Sequence, residues 1–145
     1  MKPLVRVLLV EEQQLIQDLL AECLVDGGLS VAVASHSSPA MGALVCHGAD
    51  YSALIIDVLL PGPFSGWVIA IKAREINPKL SVIYLTGGDT SEWSSKGVPG
   101  SLMLPKPFAM SQVITAVIQL TEAAGNPLPI ESRSVVPIQP IHEVP

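Results

Sequence analysis

Apolar positions along the chain follow two alternating rhythms. Residues 4–10, 29–35, 53–56 and 80–86 are short runs rich in apolar and β-branched residues, and a briefer fifth run covers 101–104. Runs of this length and composition predict strands, the central ones buried on both faces. Between them the period lengthens. Leu15, Ile16, Leu19, Leu20, Cys23 and Leu24 recur on one face of a helix over 13–25, which Asp26-Gly27-Gly28 stops. Ser37 or Ser38 is expected to cap a second helix running to about His47, with Pro39 in its first turn and Gly48 at its end. A third helix is expected over 66–76, ended by Asn77-Pro78, since the residue before proline avoids helix. Residues 87–100 are rich in Gly, Ser and Thr and predict only a short helix near 91–96. A last helix over 109–123 turns Met110, Val113, Ile114, Val117 and Ile118 toward the core.

Strands that alternate with helices imply an α/β domain, a mostly parallel sheet with helices on both faces. Right-handed crossovers leave few topologies. Five such units predict a doubly wound (βα)5 sheet in the order 2-1-3-4-5, the flavodoxin-like arrangement, with a short or irregular fourth helix. From Gly125 the composition changes. Residues 125–145 hold five prolines and read as an extended tail behind a domain over 1–124. Ile130, Val135, Val136 and Ile138 in that tail are expected to pack on this domain or on a neighbouring chain.

Composition narrows the function classes. The net charge is -5 and the eight basic residues are scattered, so bulk electrostatics argue against a nucleic-acid partner. No apolar run reaches the length of a membrane span. Met1-Lys2-Pro3 leads into a strand without a signal peptide's apolar region, which makes a cytoplasmic location the expectation. Cys23 and Cys46 fall on helices and are expected to be buried reduced thiols. His36, His47 and His142 do not cluster and are assigned no chemistry. Trp67, Trp93, Met41 and Met110 are expected to pack, although an exposed Trp93 would suit a partner anchor.

The candidate chemistry lies at strand ends. Glu11-Glu12 follow strand 1, Asp57 ends strand 3, Thr86 ends strand 4, and Lys106 follows strand 5 between Pro105 and Pro107. In the order 2-1-3-4-5, strands 1 and 3 are neighbours, so Glu11, Glu12 and Asp57 are expected to converge on the carboxyl edge, where open α/β sheets place ligands. Converging carboxylates call for raised pKa values or a bound cation, and oxygen-only donors point to Mg²⁺. A metal, a hydroxyl and an ammonium around an acid suit phosphoryl transfer to a carboxylate, with Asp57 as nucleophile.

With these residues in place, the chain resembles the receiver domain of a two-component response regulator over about residues 4–123. The likeness rests on Glu11-Glu12, on Asp57, on Thr86 in Tyr84-Leu-Thr-Gly87, and on Lys106 in Pro105-Lys-Pro-Phe108. It implies that Asp57 accepts a phosphoryl group from a sensor histidine kinase or a histidine phosphotransfer protein. Glu11, Glu12, Asp57 and the backbone carbonyl of Leu59 would hold Mg²⁺. Lys106 and Thr86 would contact the phosphoryl oxygens, and movement of Thr86 would repack the face made by helix 4, strand 5 and helix 5. By the same resemblance that face serves output to a protein partner or a homodimer. The chain is then a stand-alone signalling module rather than a metabolic enzyme.

Two positions depart from the family pattern. Glu12 stands where the family has Asp, and Met103 stands where it has Tyr or Phe. The loop from Asp57 to Gly66 is also one residue longer than usual. These departures motivate an alternative, a receiver-like interaction or dimerisation module that works without phosphorylation. Two enzymes on the same topology fare worse. An FMN phosphate would be repelled by the acidic loop after strand 1. An aspartyl phosphatase needs a second Asp where Leu59 stands.

Overall fold

The computed structural model describes residues 5–88 and 90–125. Five strands, β1 (Arg6–Val10), β2 (Ser30–Ala34), β3 (Ala53–Asp57), β4 (Ser81–Thr86) and β5 (Leu102–Pro105), form one sheet. All pairings are parallel, and the order is β2-β1-β3-β4-β5. The helices are α1 (Gln14–Asp26), α2 (Ser37–His47), α3 (Gly66–Ile76), the four-residue α4 (Trp93–Lys96) and α5 (Met110–Ala123). A 3-10 turn (Gly48–Asp50) follows α2. The expected flavodoxin-like topology and the short fourth helix are both present. The tail from 126 onward, including the expected packing of Ile130, Val135, Val136 and Ile138, lies outside the described residues.

Alternation along the strands divides the core in two. Val7 and Leu9, with Val31, Val33, Ile55 and Leu85, pack under α1 and α5. Leu8 and Val10, with Ala32, Ala34, Leu54 and Ile56, pack under α2 and α3. Both faces of the central strands are covered, which is why their sequences read as unbroken apolar runs rather than alternating ones. Met41 and Trp67 pack against the second cluster and Met110 against the first, as expected.

Three expectations are corrected. The buried face of α1 is turned from the predicted one: Leu20 and Leu24 are buried, but so are Gln17, Ala21 and Val25, while Leu15 is 71% exposed and Leu19 also faces solvent. The helix is apolar on more than one side, and its sequence alone does not say which apolar edge meets the sheet. Cys46 is exposed rather than buried, and Cys23 is half-buried, its thiol pushed up by burial and, less strongly, by Asp26 and Glu22. Neither is in a disulfide. No side chain caps α2; His36 precedes it, and the buried Ser37 turns its hydroxyl to a loop instead. No helix among the described residues is long and apolar enough to cross a membrane.

Candidate functional site

Strand register assembles the site. Val10 pairs with Ile56, so Glu11 emerges beside Asp57. Asp57 pairs with Leu85, and Thr86 pairs with Pro105, which brings Lys106 to the same edge. The Lys106 backbone N–H then donates to the Thr86 carbonyl at 2.6 Å and extends the pairing beyond the strand end. The Lys106–Pro107 peptide is cis. A one-residue slip in any of these pairings would send a site residue to the opposite face.

At the centre Lys106 Nζ lies 2.8 Å from Asp57 Oδ2 and 2.9 Å from Glu11 Oε1. The Glu11 side chain is fully buried, that of Asp57 11% exposed and that of Lys106 18% exposed. Burial by itself pulls the Lys106 ammonium down. The hydrogen bond to Asp57, the close contact with Glu11 and the charge of both carboxylates outweigh it and hold Lys106 above its ordinary value. Asp57 Oδ1 accepts from the Leu59 N–H at 3.0 Å, and Glu11 Oε2 accepts from the Gln13 N–H at 3.0 Å. Glu11 Oε1 is buried, and the Lys106 ammonium meets it as an ion pair at 2.9 Å.

The loop after Asp57 is pinned at both ends. Gly66 N–H donates to the Val58 carbonyl at 3.0 Å, and a Cβ at Gly66 would lie 2.3 Å from the Asp57 carbonyl oxygen. On the other side, Ser37 N–H donates to the Pro61 carbonyl at 3.0 Å and Ser37 Oγ accepts from Phe64 N–H at 3.2 Å. Gly62, at φ 109°, packs against that Ser37 side chain. The long loop is thus clamped to the start of α2, and it carries Leu59, 76% exposed, beside Asp57.

Thr86 is buried, and its Oγ1 accepts from Gly88 N–H at 3.1 Å at the start of the connection to α4. Tyr84, two residues earlier, is fully buried beside Met103 in the strand register. Its ring lies 4.6 Å from that of Trp67, and its hydroxyl accepts from Val98 N–H at 3.1 Å. Burial pushes this hydroxyl up, against a smaller pull from the Val98 bond and the Arg74 charge. Arg74 reaches the same loop, donating to the Pro99 carbonyl at 2.7 Å. Trp93 is exposed, at 37%, but its Nε1 donates to Ser101 Oγ at 2.9 Å, so its polar end is spent on the fold rather than offered to a partner. Tyr84→Phe keeps the packing but strands the Val98 N–H, and a loss of about 1–2 kcal/mol in urea unfolding is expected. A variant as stable as wild type would show that the bond is not needed.

Glu12 does not join the cluster as expected. It is exposed, and among the described residues no group of three or more His, Cys, Asp or Glu side chains is placed to hold a metal. The difference is local: the Glu11 side chain is buried against Lys106, and Glu12 follows in a surface bend beyond β1. What remains still fits a hard divalent cation. The donors are all oxygen, and two carboxylates, one fully buried, share one ammonium. One or two carboxylates with a carbonyl is the protein share that Mg²⁺ takes. Sequence reasoning missed Ser37, Tyr84 and the buried Gln17. A polar residue on an otherwise apolar helix face was the available signal for Gln17; nothing local marks the other two.

The chain matches the response regulator receiver domain over residues 7–118. It is 28% identical over 127 residues to the transcriptional regulatory protein TcrA of Mycobacterium tuberculosis, covering 86% of this chain and 49% of that protein. It is 30% identical over 138 residues to the transcriptional regulatory protein CutR of Streptomyces coelicolor, covering 93% of this chain and 62% of that protein. The chain therefore spans about half to three-fifths of the length of these relatives. Among solved structures, a response regulator receiver protein from Sinorhizobium medicae superposes with a TM-score of 0.80 at 35% identity, over 83% of this chain and 97% of that one. A receiver domain protein from Clostridium thermocellum, at 23% identity, shares the fold with a TM-score of 0.77 over 84% of this chain and 98% of that one. Sheet order, the edge where Glu11, Asp57 and Lys106 meet, and these likenesses agree: the chain belongs to the response regulator receiver domains, the signalling modules of two-component systems.

Proposed function

We propose that Asp57 is a phosphoacceptor, receiving its phosphoryl group from a phosphohistidine on a sensor histidine kinase or a histidine phosphotransfer protein. The observation that carries this is the bridge of Lys106 between Asp57 and Glu11 at the carboxyl edge. The Leu59 N–H orients one Asp57 oxygen, and Lys106 draws the other toward the edge, where a phosphorus atom can approach. Lys106 then stays beside the new phosphoryl oxygens and balances their charge. Thr86 Oγ1, now held by Gly88, is the hydroxyl that would turn to those oxygens. Glu11, Asp57 and the Leu59 carbonyl would hold Mg²⁺, with the exposed Glu12 turning its side chain in to join them; the ion when bound supplies charge neutralisation to the phosphoryl group.

Output runs through α4, β5 and α5. Release of the Thr86–Gly88 bond frees the start of the α4 connection. The fully buried aromatic next to this region is Tyr84 on β4, which grips Val98, while position 103 on β5 is methionine. Exposed Leu15 and Leu59, on segments that leave the carboxyl edge, suit the approach of an amphipathic kinase or phosphotransfer helix. The downstream partner is a protein, with a second copy of this chain among the candidates, and the scattered basic residues support that over nucleic acid. The receiver unit ends near residue 124, just beyond α5, and the protein acts in the cytoplasm.

Intact mass after incubation with Mg²⁺ and acetyl phosphate tests the reading. Wild type is expected to gain one phosphoryl group. Asp57→Asn and a chelated sample are expected to gain none. A wild type that neither gains mass nor binds Mg²⁺ by calorimetry would sink the proposal in favour of a phosphorylation-independent module.

A further inference from the structure

Gln17 is a buried amide with every polar atom engaged. It is 4% exposed, in the second turn of α1. Its Nε2 donates to the Glu11 carbonyl at 3.0 Å and to Ser35 Oγ at 3.0 Å. Its Oε1 accepts from Gln14 Nε2 at 3.0 Å. An amide has two N–H donors, and here both cross to other elements.

The place of these bonds matters. The β1–β2 pairing ends at Val10 and Ala34, with one last bond from Glu11 N–H to the Ala34 carbonyl at 3.1 Å. Beyond it the sheet no longer holds the Glu11 carbonyl. Gln17 takes over, tying that carbonyl to α1 and to Ser35 at the end of β2. The peptide whose carbonyl is held joins Glu11 to Glu12. A peptide is a rigid plane, so fixing its oxygen fixes how the chain leaves Glu11 and enters Glu12. Without the amide, that plane loses its side-chain anchor, and the path by which the chain leaves the held Glu11 and enters Glu12 is fixed less tightly. A leucine or methionine would fill the same space under α1 and would leave the Glu11 carbonyl buried without this donor. An amide at this position is therefore explained by what it holds rather than by packing.

We propose that Gln17 is a positioning residue for the acidic pair, setting the affinity of the edge for a divalent cation through the Glu11–Glu12 peptide. The proposal rests on the phosphoacceptor reading above. It names a determinant of that site on a helix whose side chains do not otherwise enter it. Residues that orient metal ligands from behind typically alter affinity by about 10- to 100-fold when lost. Gln17 acts through a backbone peptide, so the lower end applies.

The full chain serves for the test, as wild type, Gln17→Met, Ser35→Ala and Val25→Ala. Methionine keeps the length and removes the donors. Ser35→Ala removes one of the two anchors of the amide. Val25→Ala trims the same helix at its far end and controls for stability alone. Two quantities are read: Mg²⁺ affinity by calorimetry without a phosphoryl donor, and the Mg²⁺ concentration giving half-maximal phosphorylation by acetyl phosphate. Gln17→Met is expected to weaken both by about tenfold while keeping the rate at saturating Mg²⁺. Ser35→Ala is expected to weaken both less, and Val25→Ala neither. Wild-type affinity in Gln17→Met, or an equal loss in Val25→Ala, overturns the positioning role and leaves the phosphoacceptor reading intact. Absence of Mg²⁺ binding in wild type overturns both.

Discussion

Lys106→Met is expected to destabilise the fold by about 2–3 kcal/mol and to slow phosphorylation by about a hundredfold. The ammonium is the cation that the buried Glu11 carboxylate and Asp57 share, at 2.9 and 2.8 Å. Its removal leaves two acids facing each other in a low-dielectric pocket. Breaking a fully buried pair costs about 3–5 kcal/mol, and the 18% exposure of the Lys106 side chain lowers that figure here. The effect is not additive with loss of Asp57. In an Asp57→Asn background only Glu11 needs the cation, so the cost of Lys106→Met is expected to shrink. Urea unfolding of the four proteins measures this coupling. An equal cost in both backgrounds would show that Lys106 does not mediate between the two acids.

The pH dependence has a defined sign. The pKa of Lys106 is higher in the folded than in the unfolded chain, so its contribution is complete below the ordinary value of 10.5 and is lost as pH rises through the folded value. The stability gap between wild type and Lys106→Met is therefore expected to persist at neutral pH and to close only in strong alkali.

Gly66→Ala is expected to damage the site from behind. The added Cβ would sit 2.3 Å from the Asp57 carbonyl oxygen and 2.8 Å from Val58 Cα. Both are backbone atoms, and neither can rotate away. Alanine favours a helix more than glycine by up to about 1 kcal/mol, but Gly66 is the first residue of α3, where little of that gain is realised. Forcing atoms into a packed position costs about 1–3 kcal/mol. A net loss of about 2 kcal/mol is expected in urea unfolding, along with slower phosphorylation as the Asp57 backbone shifts. A variant that melts with wild type would mean that the turn relaxes at no cost.

The sequence alone determined the class of fold, the strand order and the strand-end placement of Glu11, Asp57, Thr86 and Lys106. The reason is local: continuous apolar runs mark strands covered on both faces, and a parallel sheet puts all their ends on one edge. Side-chain direction across elements was not legible. Which apolar edge of α1 meets the sheet depends on how the helix docks, and that buried Gln17 and exposed Leu15. Glu12, beside Glu11 in the chain, is exposed in the bend that follows β1 while Glu11 is buried. Ser37 carries every mark of a helix cap, yet it clamps a loop 27 residues on. Tyr84 reads as one more strand residue until the fold brings Val98 to its hydroxyl. Periodicity reports which residues leave water; only packing between distant segments decides which groups they meet when they do.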